Sequence, residues 1–341
     1  MFKHILIPLD GSTRAESAIP VAARIARASG ASVTLLRVVT TPIDFSGYAM
    51  ESPLIMQGVL VADVDNATAY LATIAKSAVL AGVKTTTEVL TGSPTLTIIQ
   101  VSSSTKTDLI VMCSHGNTGF KRWVLGSVAQ KVARHSPVPV LVLRHGDTTL
   151  HALATRPMRI MVPLDGSDLA ETALEPAAQL CAALSAPIQG ELHLARILRP
   201  HEVQENNQPV VITDTSNQVI ADARAYLSSV EQRFQRGDLA HLNLQVTASF
   251  AFGTDVAEVL IELAEDGEYL EDDEEVDGCD LIAMATHGRS GPERWAMGSV
   301  SERILGATRL PLLIVRPKKT GTNYQEAGAV TIGSKAIETV V

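Results

Sequence analysis

A chain of 341 residues is long for one hydrophobic core and sized for two ordinary domains. With 46% hydrophobic and 19% charged residues and a formal net charge of −9, the composition excludes global disorder. It also excludes a general nucleic-acid or anionic-membrane surface, since both need clustered Lys and Arg.

In chain order, short β-branched runs alternate with amphipathic segments. Strands are expected at Ile5–Leu9, Val33–Val38, Thr85–Leu90, Leu109–Cys113 and Val138–Leu143, with helices over about 13–29, 60–82, 95–105 and 127–135. Residues 147–157 lack a clear period and read as a linker between a first domain (1–146) and a second (158–317). The second half repeats the strands near Ile160, Leu192, Leu244, Leu281 and Leu312, and residues 318–341 read as a tail. Strands apolar on both faces and separated by helices imply parallel sheets covered on both sides. The expected fold is α/β, two doubly wound five-stranded (Rossmann-like) domains in tandem. No apolar run reaches the roughly 20 residues that span a bilayer, and no secretory leader is read. Cys113, Cys181 and Cys279, odd in number and far apart, suit reduced thiols, so a cytoplasmic location is expected.

The duplication is visible residue by residue. Ile5-Leu-Ile-Pro-Leu-Asp-Gly-Ser12 returns as Ile160-Met-Val-Pro-Leu-Asp-Gly-Ser167 at an offset of 155, and Asp108–Arg144 matches Asp280–Arg316 without a gap at an offset of 172. Between Glu265 and Asp277 nine of thirteen residues are acidic, and without them 28 acidic residues face 28 basic ones. The charge excess therefore belongs to one insertion, near 265–277, which is expected to be a solvated, disordered loop.

In a doubly wound sheet the ligand crevice lies beyond the carboxyl ends of the strands, where strand order reverses. Asp10-Gly11-Ser12 follows the first strand and Cys113-Ser-His-Gly116 the fourth, so two distant segments are placed to meet. Gly126-Ser127 opens the next helix, and a helix amino terminus with a close-approach glycine suits phosphate. Lys121 and Arg122 in copy one, and Arg289 and Arg294 in copy two, could face its oxygens. Two alternatives stay open here. Ser127-Val-Ala-Gln130 and Ser299-Val-Ser-Glu302 fit capping boxes, and Asp10 and Asp165 could simply organise a turn. His115 and His287 could serve a phosphate or the backbone, and Trp123 and Trp295 read as packing anchors.

With this spacing the sequence resembles the universal stress protein family over roughly 2–145 and 158–317. Nucleotide-binding members carry Gly, two residues, Gly, nine residues, then Gly and Ser or Thr. Here the pattern reads Cys113-Ser-His-Gly116, nine residues, Gly126-Ser127, and Ala285-Thr-His-Gly288, nine residues, Gly298-Ser299. The first glycine is replaced in both copies. The resemblance implies that Asp10 and Asp165 contact adenine and that Val38 and Ile197 offer backbone to the base. It implies that Gly116, Gly126, Ser127 and Val128, with Gly288, Gly298, Ser299 and Val300, hold ribose and phosphates. Pro8, Pro163, His115 and His287 complete the expected set. Family members pair through their fifth strands, so Val138–Leu143 and Leu310–Val315 are expected to form an internal pseudo-dimer, with further homo-oligomerisation left open.

The expected function is adenine-nucleotide binding in stress response or signalling, with ATP, and Mg2+ beside it, ahead of AMP. A protein partner is expected but not named by the sequence. Slow ATP hydrolysis is one alternative, although no Gly-x-x-x-x-Gly-Lys-Ser/Thr segment is present. The other is a nucleotide-independent scaffold, with Cβ atoms at Cys113 and Ala285 narrowing the crevice. A flavin or nicotinamide enzyme is disfavoured, because no Gly-x-Gly-x-x-Gly follows either first strand. Copy one is expected to bind more tightly, because copy two has Pro292 in its phosphate-side loop and the acidic insertion nearby.

Overall fold

The computed structural model describes residues 1–40, 53–114, 126–144, 156–199, 201–205, 208–212, 217–269, 275–276, 278–288 and 297–317. Copy one supplies β1 (His4–Leu9), β2 (Ser32–Val39), β3 (Thr85–Thr91), β4 (Leu109–Cys113) and β5 (Val140–Leu143). Copy two supplies β6 (Arg159–Pro163), β7 (Glu191–Leu198), the hairpin β8 (His201–Glu205) and β9 (Gln208–Ile212), then β10 (Gln245–Phe252). It continues with β11 (Glu268–Tyr269), β12 (Glu275–Val276), β13 (Leu281–Ala285) and β14 (Leu312–Val315). The helices of copy one are α1 (Thr13–Glu16), α2 (Ala18–Ser29), α3 (Pro53–Ala75), α4 (Pro94–Ser104) and α5 (Ser127–His135). Those of copy two are α6 (Asp168–Glu171), α7 (Leu174–Ser185), α8 (Asn217–Arg236), α9 (Val256–Asp266) and α10 (Ser299–Ala307).

Ten strands form one sheet in the order β10-β7-β6-β13-β14-β5-β4-β1-β2-β3. Within each copy the order is third, second, first, fourth, fifth, all parallel, so the reversal point falls between the first and fourth strands of each. The copies join where β14 runs antiparallel to β5, with Leu312 opposite Val142 and Ile314 opposite Val140. This is the internal pseudo-dimer through the fifth strands.

Period-two burial sorts the strand residues between two helix layers. Ile5, Ile7, Val111 and Cys113 pack beneath α2, in a core that continues into copy two. Leu6, Leu36, Ile110 and Met112 pack against α4 and α5 on the other face. Across the junction α2 lies against α7, and Arg134 of α5 pairs with Glu302 of α10.

Three elements depart from the sequence expectation. The helix expected over 13–29 breaks at Ser17, because Pro20 has no N–H to offer the Glu16 carbonyl four residues back; Pro176 imposes the same break between α6 and α7. The helix expected over 60–82 starts earlier, at Pro53, and ends at Ala75. A single 3-10 turn, Ala78–Leu80, then tucks Leu80 into the core. The acidic insertion, expected as a disordered loop, carries a short antiparallel ladder between β11 and β12.

Candidate functional site

The turn after β1 is built identically in both copies. Gly11 at φ 80° and Gly166 at φ 83° occupy the left-handed region that glycine adopts without strain. That bend lets Asp10 Oδ1 accept from Ser12 N at 3.0 Å and Ser12 Oγ at 2.5 Å, while Ser12 Oγ caps α1 through Ala15 N at 3.2 Å. In copy two Asp165 Oδ1 accepts from Ser167 N at 2.9 Å and Ser167 Oγ at 2.6 Å. Both aspartates therefore do organise a turn, and in copy one that turn holds the Asp10 carboxylate on the cavity wall.

Beyond β4, the Gly126 N–H donates to the Ser114 carbonyl at 2.6 Å, and in copy two Gly298 N–H donates to Thr286 at 2.8 Å. This clamp seats the start of the last helix over the end of the fourth strand. A Cβ on Gly298 would stand 3.3 Å from the Thr286 oxygen, so glycine suits the approach. The N-cap positions are Gly126 and Gly298, without a side-chain cap bond in either helix. Ser127 and Ser299 are thus the first helical residues, and the capping boxes that the sequence left open as an alternative do not form. α4 likewise begins at Pro94 without a side-chain cap. Two helix amino termini with uncapped N–H groups converge on one cavity in copy one.

That cavity has a volume of about 300 Å³, at the low end of the range for small-molecule sites. Six of the expected residues line it: Pro8, Asp10, Val38, Gly126, Ser127 and Val128. His115, Gly116, Lys121, Arg122 and Trp123 lie outside the described residues. Leu36 and Met112 form an apolar floor, and Arg37 stands at the rim with Nη1 3.3 Å from the Leu9 carbonyl. None of these three was singled out from sequence, since each reads as an ordinary strand residue.

Cys113, which replaces the first glycine of the pattern, reaches the cavity wall, but its Sγ turns to Ser17 Oγ at 3.0 Å in the layer beneath α2. Burial pushes its thiol up to about 11, and the nearby Asp10 charge adds to the shift. The narrowing expected there is small, because the side chain leaves the sheet on the face away from Met112 and Leu36.

Copy two differs. Gly288 backs directly onto Asp165: a Cβ there would fall 2.2 Å from Oδ2, so any other residue requires the Asp165 carboxylate to shift. His287 Nδ1 lies 2.9 Å from Thr286 Oγ1, and its buried Nε2 meets no partner among the described residues. A cavity of about 290 Å³ includes Ser299 and Val300 together with Arg199, Asp255 and Arg303, while Pro163, Asp165 and Ile197 lie outside its lining. Asp255, aligned with Pro94 by the Gly92/Gly253 register, caps α9 through Glu258 N at 3.3 Å and pairs with Arg303 at 2.6 and 2.8 Å. Its signal in the sequence was the capping box Asp255-Val-Ala-Glu258. Arg289, Pro292, Arg294 and Trp295 lie outside the described residues.

The described ends of the acidic insertion are not beside this crevice. The insertion leaves the carboxyl end of α9 and enters β13 at its amino end, so about 16 Å of helix, eleven residues at 1.5 Å each, separates its start from Asp255. Among the described residues no three His, Cys, Asp or Glu side chains converge as a metal site, and no helix is long and apolar enough to cross a membrane.

Two parallel third-second-first-fourth-fifth sheets fused through their fifth strands, each with an Asp-Gly-Ser turn facing a glycine-led helix, define a tandem α/β protein with one switch-point crevice per copy. The chain belongs to the Universal stress protein family, whose profile matches residues 1–144 and 157–316. Universal stress protein MJ0531 of Methanocaldococcus jannaschii is 35% identical over 144 residues, covering 42% of this chain and 83% of its own length. A universal stress protein of Thermus aquaticus is 32% identical over 145 residues, covering 42% of this chain and all of its own length. The crystal structure of a universal stress protein from Archaeoglobus fulgidus DSM 4304 shares the fold at a TM-score of 0.60 and 22% identity, covering 92% of this chain and 98% of that one.

Proposed function

We propose that this chain binds an adenine nucleotide in the crevice of copy one and acts as a binding module in stress response or signalling. The observation that carries the reading is the convergence of two uncapped helix termini, α4 and α5, on a cavity that also holds Asp10 and the apolar floor of Leu36 and Met112. Free N–H groups and the two helix dipoles favour a phosphate chain, the floor suits a planar base, and the carboxylate can accept from an exocyclic amino group. Two converging termini favour ATP over AMP, with Mg2+ carried on the phosphates. A ligand that prefers one conformation of the crevice would shift the chain toward it and so alter a partner surface.

Titration calorimetry of nucleotide-stripped protein with ATP and magnesium tests this. Binding by the wild type that is lost in Asp10→Ala supports it. An absence of heat together with an unchanged melting temperature would instead make the chain a nucleotide-independent scaffold, a reading disfavoured by the Cys113 side chain, which turns under α2 and away from the cavity floor.

A further inference from the structure

The two copies present different chemistry at the same place. In copy one the termini of α4 and α5 face the cavity without side-chain caps, and the residue that opens α4 is Pro94, which carries no charge. In copy two the corresponding terminus of α9 is capped by the Asp255 carboxylate, and the cation that reaches the same cavity from α10, Arg303, is spent on it at 2.6 and 2.8 Å. Arg303 also holds the Asp255 carboxyl below its ordinary range. The chain thus supplies its own anion where a ligand phosphate would sit.

We propose that Asp255 is a specificity-determining residue that makes the crevices unequal: paired with Arg303, it excludes a phosphate chain from the second crevice, so each chain takes one nucleoside triphosphate, in the first. This rests on reading the crevices as nucleotide sites. The physical cause is twofold. A phosphate entering beside Asp255 meets like charge, and the Arg303 guanidinium that could have met it is already paired, so of the lining cations Arg199 is left to face it. Removing the carboxylate reverses both effects at once.

The experiment uses the full-length, nucleotide-stripped chain titrated with ATP and magnesium. Asp255→Ser is the informative variant because serine keeps the α9 cap while removing the charge. The wild type is expected to bind one ATP per chain and Asp255→Ser two. In an Asp10→Ala background, which silences the first crevice, adding Asp255→Ser is expected to strengthen ATP binding on the order of tenfold or more. Melting curves confirm that each variant is folded. Two ATP of comparable affinity per wild-type chain, or an Asp255→Ser chain that still binds only one, would overturn the inference. A silent wild type would overturn the inference as stated: binding gained in Asp255→Ser would then place the fault in the first-crevice reading, whereas silence in every variant removes both.

Discussion

Arg144 Nη2 donates to the carbonyl of Leu305 at 2.7 Å, so the residue that ends strand five of copy one closes the last turn of the last helix of copy two. Its Nε reaches Leu310 O at 3.4 Å, and Arg316, the matching residue of copy two, donates to His135 O at 3.3 Å, at the end of the last helix of copy one. Each copy therefore supplies a cation to the negative end of the other's helix.

Arg144 is buried and Arg316 is not, so the two contacts are unequal. Arg144→Ala leaves buried helix carbonyls unpartnered and is expected to cost about 2–3 kcal/mol. Arg316→Ala is expected to cost about 0.5 kcal/mol or less. Urea unfolding of the two variants checks the ranking, and equal midpoints would contradict it.

Gly288→Ala is expected to destabilise by about 1–3 kcal/mol, because its Cβ would fall 2.2 Å from Asp165 Oδ2, on a carboxylate whose other oxygen, Oδ1, accepts two hydrogen bonds from Ser167. Thermal unfolding reads the loss. A variant as stable as the wild type would show that the Asp165 turn gives way freely.

His193 sets an acid limit. It is buried among Thr247, Ser249 and Arg159, and burial, aided by the Arg159 charge, pulls its imidazole down to about 4. The native state therefore favours the neutral ring. Above pH 6.5 both states are neutral and the contribution is constant. Between pH 6.5 and about 4 the unfolded chain takes up a proton that the native chain refuses, and stability falls by about 3 kcal/mol. Copy one carries Thr34 at the same third position of its second strand, so His193→Thr is the natural control. Urea midpoints at pH 7 and 4.5 should differ less in that variant than in the wild type.

All three thiols are buried, and burial raises Cys113 to about 11 and Cys181 and Cys279 to about 12. At pH 8 their thiolate fractions are on the order of one part in a thousand or less. A thiol-specific disulfide reagent is expected to label none in the native protein on the timescale of free cysteine and all three in urea. Rapid native labelling of Cys113 alone would show a crevice open down to the strand end.

Much of this protein is local and so was legible in the amino-acid order. Strand periodicity, the two Asp-Gly-Ser turns and the offsets of 155 and 172 follow from short-range sterics, burial alternation and duplication. Those features placed Asp10 and Ser127 at strand and helix ends, and the fold brings them to one cavity. Other features depended on what packs against what. Ser127 was open between a cap and a phosphate contact, and the Gly126–Ser114 clamp makes Gly126 the cap position. The acidic insertion read as a neighbour of the phosphate site, yet the direction of α9 carries its described ends to the far end of that helix. Asp255 and Arg303 are 48 residues apart, and nothing in their local sequence couples them until two helix termini meet over one crevice. Periodicity and turn chemistry act within a few residues, whereas the partner of a charge is chosen by tertiary packing alone.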